Sequence, residues 1–230
     1  SLLNFIEPNF INPNRESQYF YFDTKCWYIT KDSVQEMGYE NISHHIWAEQ
    51  RKMIPSKYLG YPLITFKVDQ ENHYTYSISK YGEKCHYLLF LKNASNFSWR
   101  KSEVEKDADE ENENRIHLLS KLCAIGYMIM EAKDNNVSKA VVGVDGKESE
   151  EGDSSGRSCK SLIGELMRCA IPTAYIPGKR SDLFNDQFVW NDVLENTKLV
   201  FIDDVLQNFN FEFLFPCITG NGSVNYKGAR

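Results

Sequence analysis

From Lys139 to Ala170 the chain passes through a continuous apolar stretch, KAVVGVD, then a polar loop of small residues, GKESEEGDSSGRSC, then a helical pattern that opens KSLIGELM. An uninterrupted apolar centre suits a strand buried on both faces of a parallel sheet. Strand, small-residue loop and helix, in that order, is the context a phosphate-binding loop requires. The order restricts this part of the chain to an α/β arrangement built on parallel strands.

Aligned on Lys160 and Ser161, the pattern G-x-x-x-x-G-K-[ST] places Ser154 and Cys159 at its two glycine positions, with Gly152 and Gly156 displaced. In such loops backbone N–H groups curl around a β-phosphate, helped by the positive end of the following helix. Lys160 would then reach the β- and γ-phosphates of ATP, and the Ser161 hydroxyl would ligate Mg2+. Cys159 carries a Cβ where a glycine would let the phosphates approach most closely.

The other half of such a site follows about forty residues later. Lys198 to Asp204 reads KLVFIDD, four apolar residues ending in two acids. A buried strand with this ending presents metal-binding charge beside a phosphate loop. Asp203 would hold Mg2+ through water, and Asp204 would orient or deprotonate the attacking water. Alone, the stretch is a core strand with a polar end; coupled to the loop, it reads as part of an ATPase.

Net charge is −6 and the pI is near 5.5. A chain that held DNA over its whole surface would be basic, so any contact with nucleic acid must use a local positive feature. The cysteines, Cys26, Cys85, Cys123, Cys159, Cys169 and Cys217, form neither a CxxC pair nor a ligand spacing with histidine. That argues against a zinc site and against a disulfide framework. With no bilayer-length apolar run and no signal peptide in SLLNFIEPNF, a reduced cytoplasmic protein without a membrane partner is expected.

Upstream, QYFYFD (Gln18 to Asp23) and KCWYIT (Lys25 to Thr30) read as strands around a turn. NISHHIWAEQ (Asn41 to Gln50) reads as a helix, with His44 and His45 near its start. Tyr61 to Val68, Tyr74 to Ser79 and Tyr87 to Leu91 read as further strands. From Lys101 to Asn114 the composition turns acidic, KSEVEKDADEENEN, and Ile116, Leu119, Leu122, Cys123, Gly126, Ile129 and Met130 follow at helical spacing. The boundary falls in the acidic run, giving an N-terminal α+β region over 1–108 and an ATPase core over 109–230.

AVVGVDGKESEEGDSSGRSCKSL, Ala140 to Leu162, resembles the first ATPase motif of phage and mobile-element primase-helicases of the poxvirus-like type, in helicase superfamily three. There the loop reads like GRSGKSL, so Gly156, Arg157, Ser158, Lys160, Ser161 and Leu162 match and Cys159 departs. FPCITGNGSVNYKG, Phe215 to Gly228, is similar to the motif specific to that superfamily, a Thr-Gly-Asp turn leading to a hairpin with a lysine. Thr219, Gly220 and Lys227 match, and Asn221 stands in place of the acid. Gln18 to Met53 also resembles the segment before the ATPase core of these proteins.

The resemblance implies a P-loop, AAA+-like, mostly parallel three-layer core. It implies ATP and Mg2+ as cofactors, with Gly156, Arg157, Ser158, Cys159, Lys160 and Ser161 around the nucleotide. Metal would sit by Ser161 and Asp203, and catalysis would use Lys160 and Asp204. Lys227 would grip single-stranded DNA inside a homo-hexameric ring, in the cytoplasm of a bacterial host. Family members continue into a sensor strand, which lies between the loop strand and the acid strand, and then into an arginine finger. Arg230 precedes both, so a fragment with an incomplete core is expected. The alternative is a degenerate, non-hydrolysing module for DNA binding or assembly, to which Cys159 and Asn221 point.

Overall fold

A computed structural model describes residues 7–12, 14–52, 54–57, 60, 62–98, 100–102, 105, 107–132, 139–144, 160–180, 183, 185–206, 208–220, 223 and 225. Helices and strands are mixed, as an α/β chain requires. The first three strands, β1 (Ser17–Tyr21), β2 (Lys25–Thr30) and β3 (Val34–Gly38), form an antiparallel meander in the order β1-β2-β3. Aromatic and β-branched residues fill the pleats, where their side chains pack across neighbouring strands. Tyr19 lies opposite Tyr28, with ring centroids 4.8 Å apart.

A hairpin follows, β4 (Ile64–Val68) against β5 (Tyr74–Ile78). Its turn is closed by Asp69, whose Oδ1 accepts from the backbone N–H of Glu71 (2.9 Å) and of His73 (2.8 Å). Asn72 takes the left-handed conformation the turn requires (φ 63°), which asparagine tolerates better than most residues.

Helix α1 covers His86–Asn93, where the apolar run suggested a strand over Tyr87 to Leu91. Short apolar runs do not separate the two by periodicity. Here Leu88 and Leu91, three apart, are the buried pair, and that is a helix face.

The acidic run behaves as its charge pattern predicts. Helix α2 covers Ala108–Ile129, and Asp107 caps it by accepting from Glu110 N at 2.7 Å. Asp109, Glu110 and Glu111 stabilise the positive first turn, and Arg115 pairs with Glu111 one turn on at 2.8 Å. Asn112 and Asn114 accept from the backbone N–H groups of Tyr74 and Phe97, tying the helix to the preceding region. At its other end the Gln18 amide bonds both Ile129 O (2.8 Å) and Glu131 N (2.9 Å).

The last part contains α3 (Lys160–Ala170), β6 (Thr173–Pro177), β7 (Leu199–Asp203) and the short α4 (Phe215–Ile218). β6 and β7 are parallel, with Tyr175 opposite Phe201. Ile176, Leu183, Val189 and Phe209 make the core beneath them, with Trp190, Ile202, Phe213 and Leu214 packed around it.

Two further expectations fail. NISHHIWAEQ is no α-helix: its ends belong to single 3-10 turns, Tyr39–Asn41 and Ala48–Gln50, and residues 42–47 between them are not helical. Its middle is recruited by the N-terminal segment, His45 N donating to Asn9 O (2.7 Å) and Asn9 N to His45 Nδ1 (2.9 Å). Those bonds hold the backbone extended, and burial of His44 beneath Tyr19 and Tyr21 fixes it there.

The second concerns KAVVGVD, whose residues 139–144 form no strand and expose Val141, Val142 and Val144. Among the described residues β7 pairs only with β6, and residues 139–144 pair with neither strand. Without a ladder its backbone N–H and C=O groups are better left to water. The parallel sheet described therefore has two strands.

Candidate functional site

Helix α3 begins at Lys160, so the Lys-Ser pair occupies a helix N-terminus, where the peptide dipoles favour negative charge. Its apolar face meets β7 at closest range where Gly164 lies over Phe201. A Cβ on Gly164 would fall 2.3 Å from the Phe201 ring, so the absent side chain sets the distance between helix and sheet. Gly143 lies beside Lys160, with the position of its missing Cβ 3.5 Å from Lys160 Cδ.

That packing brings the serine of the loop pattern to the first acid of KLVFIDD. Ser161 Oγ donates to Asp203 Oδ1 at 2.8 Å, across 42 residues of sequence. The second carboxylate oxygen, Asp203 Oδ2, accepts from the Tyr175 hydroxyl at 3.0 Å. Tyr175 and Phe201 are opposite in the parallel register, and Asp203 lies two residues beyond Phe201 on the same face, within reach of a long side chain. The bond to Asp203, then burial, pushes the Tyr175 phenol above its usual range, so it remains a donor at neutral pH.

Asp204 turns away from this pair. Its φ of 55° marks the chain leaving the strand sharply, and its Oδ2 lies 2.5 Å from Lys179 Nζ. The backbone beside it is drawn in by Gly178, whose N–H donates to Asp203 O at 2.6 Å. A Cβ at Gly178 would fall 2.6 Å from that same oxygen, so a side chain there would push the turn off the end of β7.

Ser161 and Asp203 thus meet between the N-terminus of α3 and the carboxyl end of a parallel strand, where open α/β sheets bind ligands, with Lys160 and Asp204 next to them in sequence. Gly156, Arg157, Ser158 and Cys159 lie outside the described residues, as do Asn221 and Lys227 of the second motif. Of that motif Thr219 closes α4, donating from Oγ1 to Phe215 O at 2.8 Å, and Gly220 follows with a φ of 83°. Sequence reasoning missed Tyr175 and Lys179. The signal was TAYIPGK, a β-prone run closed by Pro-Gly just upstream of the acid strand.

The residues fit a small hard cation. A hydroxyl and a carboxylate face each other as oxygen ligands, and Mg2+ takes few protein ligands because substrate phosphates and water complete its shell. Among the described residues no group of three or more His, Cys, Asp or Glu could hold a metal by itself. No helix among them is long and apolar enough to cross a membrane. No protein-family model matches the chain, and no curated protein or solved structure matches it either.

Proposed function

We propose that the chain is part of an ATP-dependent DNA helicase of phage or mobile-element replication, carrying the region before the ATPase core and the phosphate-loop half of that core. The observation that carries this reading is the Ser161–Asp203 hydrogen bond. The two side chains that the motifs assign to one Mg2+ are already paired, although nothing in their sequence separation requires it. The fold that goes with the reading is a P-loop, AAA+-like three-layer core in which β6 and β7 are adjacent parallel strands.

In this mechanism Lys160 and the α3 N-terminus hold the phosphates of ATP. Ser161, and Asp203 through water, would hold Mg2+. Mg2+, when bound, neutralises charge on the β- and γ-phosphates. Asp204 orients the attacking water once Lys179 releases it. Lys227 grips single-stranded DNA from inside a homo-hexamer, which concentrates positive charge in one channel of an otherwise acidic protein, in the cytoplasm of a bacterial host.

Titration calorimetry with Mg-ATP on the wild type and on Lys160→Ala tests the nucleotide site. Binding by the first and none by the second is expected; equal heats would remove the basis for the reading. In a ring-forming, longer version of the protein, Lys227→Ala should weaken single-stranded DNA binding and reduce its salt dependence. An unchanged slope would take Lys227 out of the DNA site.

A second reading is favoured by the Lys179–Asp204 ion pair, which occupies the carboxylate that hydrolysis would use. It is a degenerate, non-hydrolysing module for DNA binding or assembly. ATP hydrolysis by the ring-forming version decides between the two.

A further inference from the structure

The acid pair at the end of β7 is met by Ser161 of α3 on one side and by β6 and its turn on the other. Both of its carboxylates are met by groups of β6 and the turn that follows it, Tyr175 at Asp203 and Lys179 at Asp204. The two contacts differ in kind. Lys179 and Asp204 are exposed partners, whereas Tyr175 stands in a packed row. Its ring lies 5.8 Å from that of Phe201, and Phe201 is pressed against Gly164 of α3. The phenol therefore reaches Asp203 from a fixed position and donates its proton to Oδ2.

We infer that Tyr175 is a positioning residue for the metal site: it fixes the Asp203 carboxylate so that Oδ1, the oxygen now bonded to Ser161, is the one offered to the cation. The inference rests on the proposed nucleotide site. Its physical basis is the division of labour at Asp203. Ser161 occupies Oδ1 and Tyr175 occupies Oδ2, so the carboxylate has one orientation. When Ser161 turns to a metal, Oδ1 loses its donor, while Oδ2 remains bound from β6. Rotation of the carboxylate is thereby prevented at the moment it would weaken the site. Partners behind a metal-facing carboxylate typically contribute about 10- to 100-fold in metal affinity or activity.

The test compares ATP affinity in excess EDTA with ATP affinity in Mg2+, by calorimetry, for wild type, Tyr175→Phe and Lys160→Ala. Tyr175→Phe keeps the ring against Phe201 and removes only the donor, and thermal melting checks that the fold is retained. The expected result is unchanged affinity for metal-free ATP, with the gain from Mg2+ reduced about tenfold. Manganese as a substitute, followed by electron paramagnetic resonance, should show the same loss in the ATP complex. An Mg2+ gain equal to that of wild type would overturn the role of Tyr175 while leaving the nucleotide site intact. An equal fall with and without metal would also overturn it, since Tyr175 would then act through packing alone. If wild type and Lys160→Ala behave alike, the nucleotide site itself is wrong and this inference falls with it.

Discussion

Lys179 Nζ lies 2.5 Å from Asp204 Oδ2, an ion pair between the turn after β6 and the turn after β7. Both side chains are more than half exposed, at 64% and 63%. Water and salt screen such pairs, which contribute at most about 1 kcal/mol. Lys179→Met should therefore shift the urea unfolding free energy by less than about 1 kcal/mol. A loss several times larger would mean that the pair anchors the fold rather than merely occupying Asp204.

Gly164 on α3 should not accept a methyl group. Alanine gains about 1 kcal/mol of helix propensity over glycine. Against this, the new Cβ would meet the Phe201 ring at 2.3 Å, and overpacking of that kind costs roughly 1–3 kcal/mol. Gly164→Ala is expected to lower stability in urea denaturation, and Phe201→Leu in the same chain should recover part of the loss. A gain in stability from Gly164→Ala alone would show that α3 can move off the sheet freely.

The Gln18 amide joins the first strand to the end of α2 through two hydrogen bonds, to Ile129 O and from Glu131 N. Gln18→Ala leaves both backbone groups without that partner, at a cost of about 1–3 kcal/mol. Hydrogen exchange of the Glu131 amide should accelerate along with the drop in unfolding free energy. Unchanged exchange at Glu131 would place the stabilisation elsewhere.

Burial of His44 lowers its pKa below the usual imidazole value of 6.5, and the neighbouring His45 adds to the effect. The unfolded chain therefore takes up a proton first as pH falls. Stability is fully present above about pH 6.5 and declines below it, until the folded pKa is passed. Burial, with Lys121 beside it, also lowers His117, so the wild type should lose stability between pH 7.5 and 5.5 from both residues. His44→Gln should flatten part of that dependence in urea denaturation at the two pH values. A slope equal to wild type would contradict the burial of a neutral His44.

Cys159 precedes the helix that starts at Lys160, at the position where the loop pattern has glycine. Cys159→Gly removes a Cβ from the expected path of the phosphates and should tighten Mg-ATP binding. Lys160→Ala should abolish it. Calorimetry on the three proteins, with circular dichroism to check folding, tests both. Equal affinity for wild type and Cys159→Gly would mean that the loop accommodates cysteine.

The sequence by itself determined the elements whose signals are local. Asp107 and the acids after it mark the start of α2 because a cap and a dipole act within one turn. Lys160 to Ala170 is helical because its period and length leave few alternatives, and LVFID is a strand because it is short, β-branched and aromatic. Motif chemistry assigned Ser161 and Asp203 to one Mg2+, and the tertiary structure joins them by a hydrogen bond. Tertiary structure decided what local pattern leaves open. Tyr87 to Leu91 became helix because burial selected Leu88 and Leu91, three apart. NISHHIWAEQ was held extended by Asn9, a partner distant in sequence that no helix signal reveals. Residues 139–144 carry a strand sequence without a strand, since a ladder needs a neighbour and none is present among the described residues. Tyr175 and Lys179 became part of the site only through the parallel pairing of β6 with β7, which brings two separate runs of sequence to the same acids.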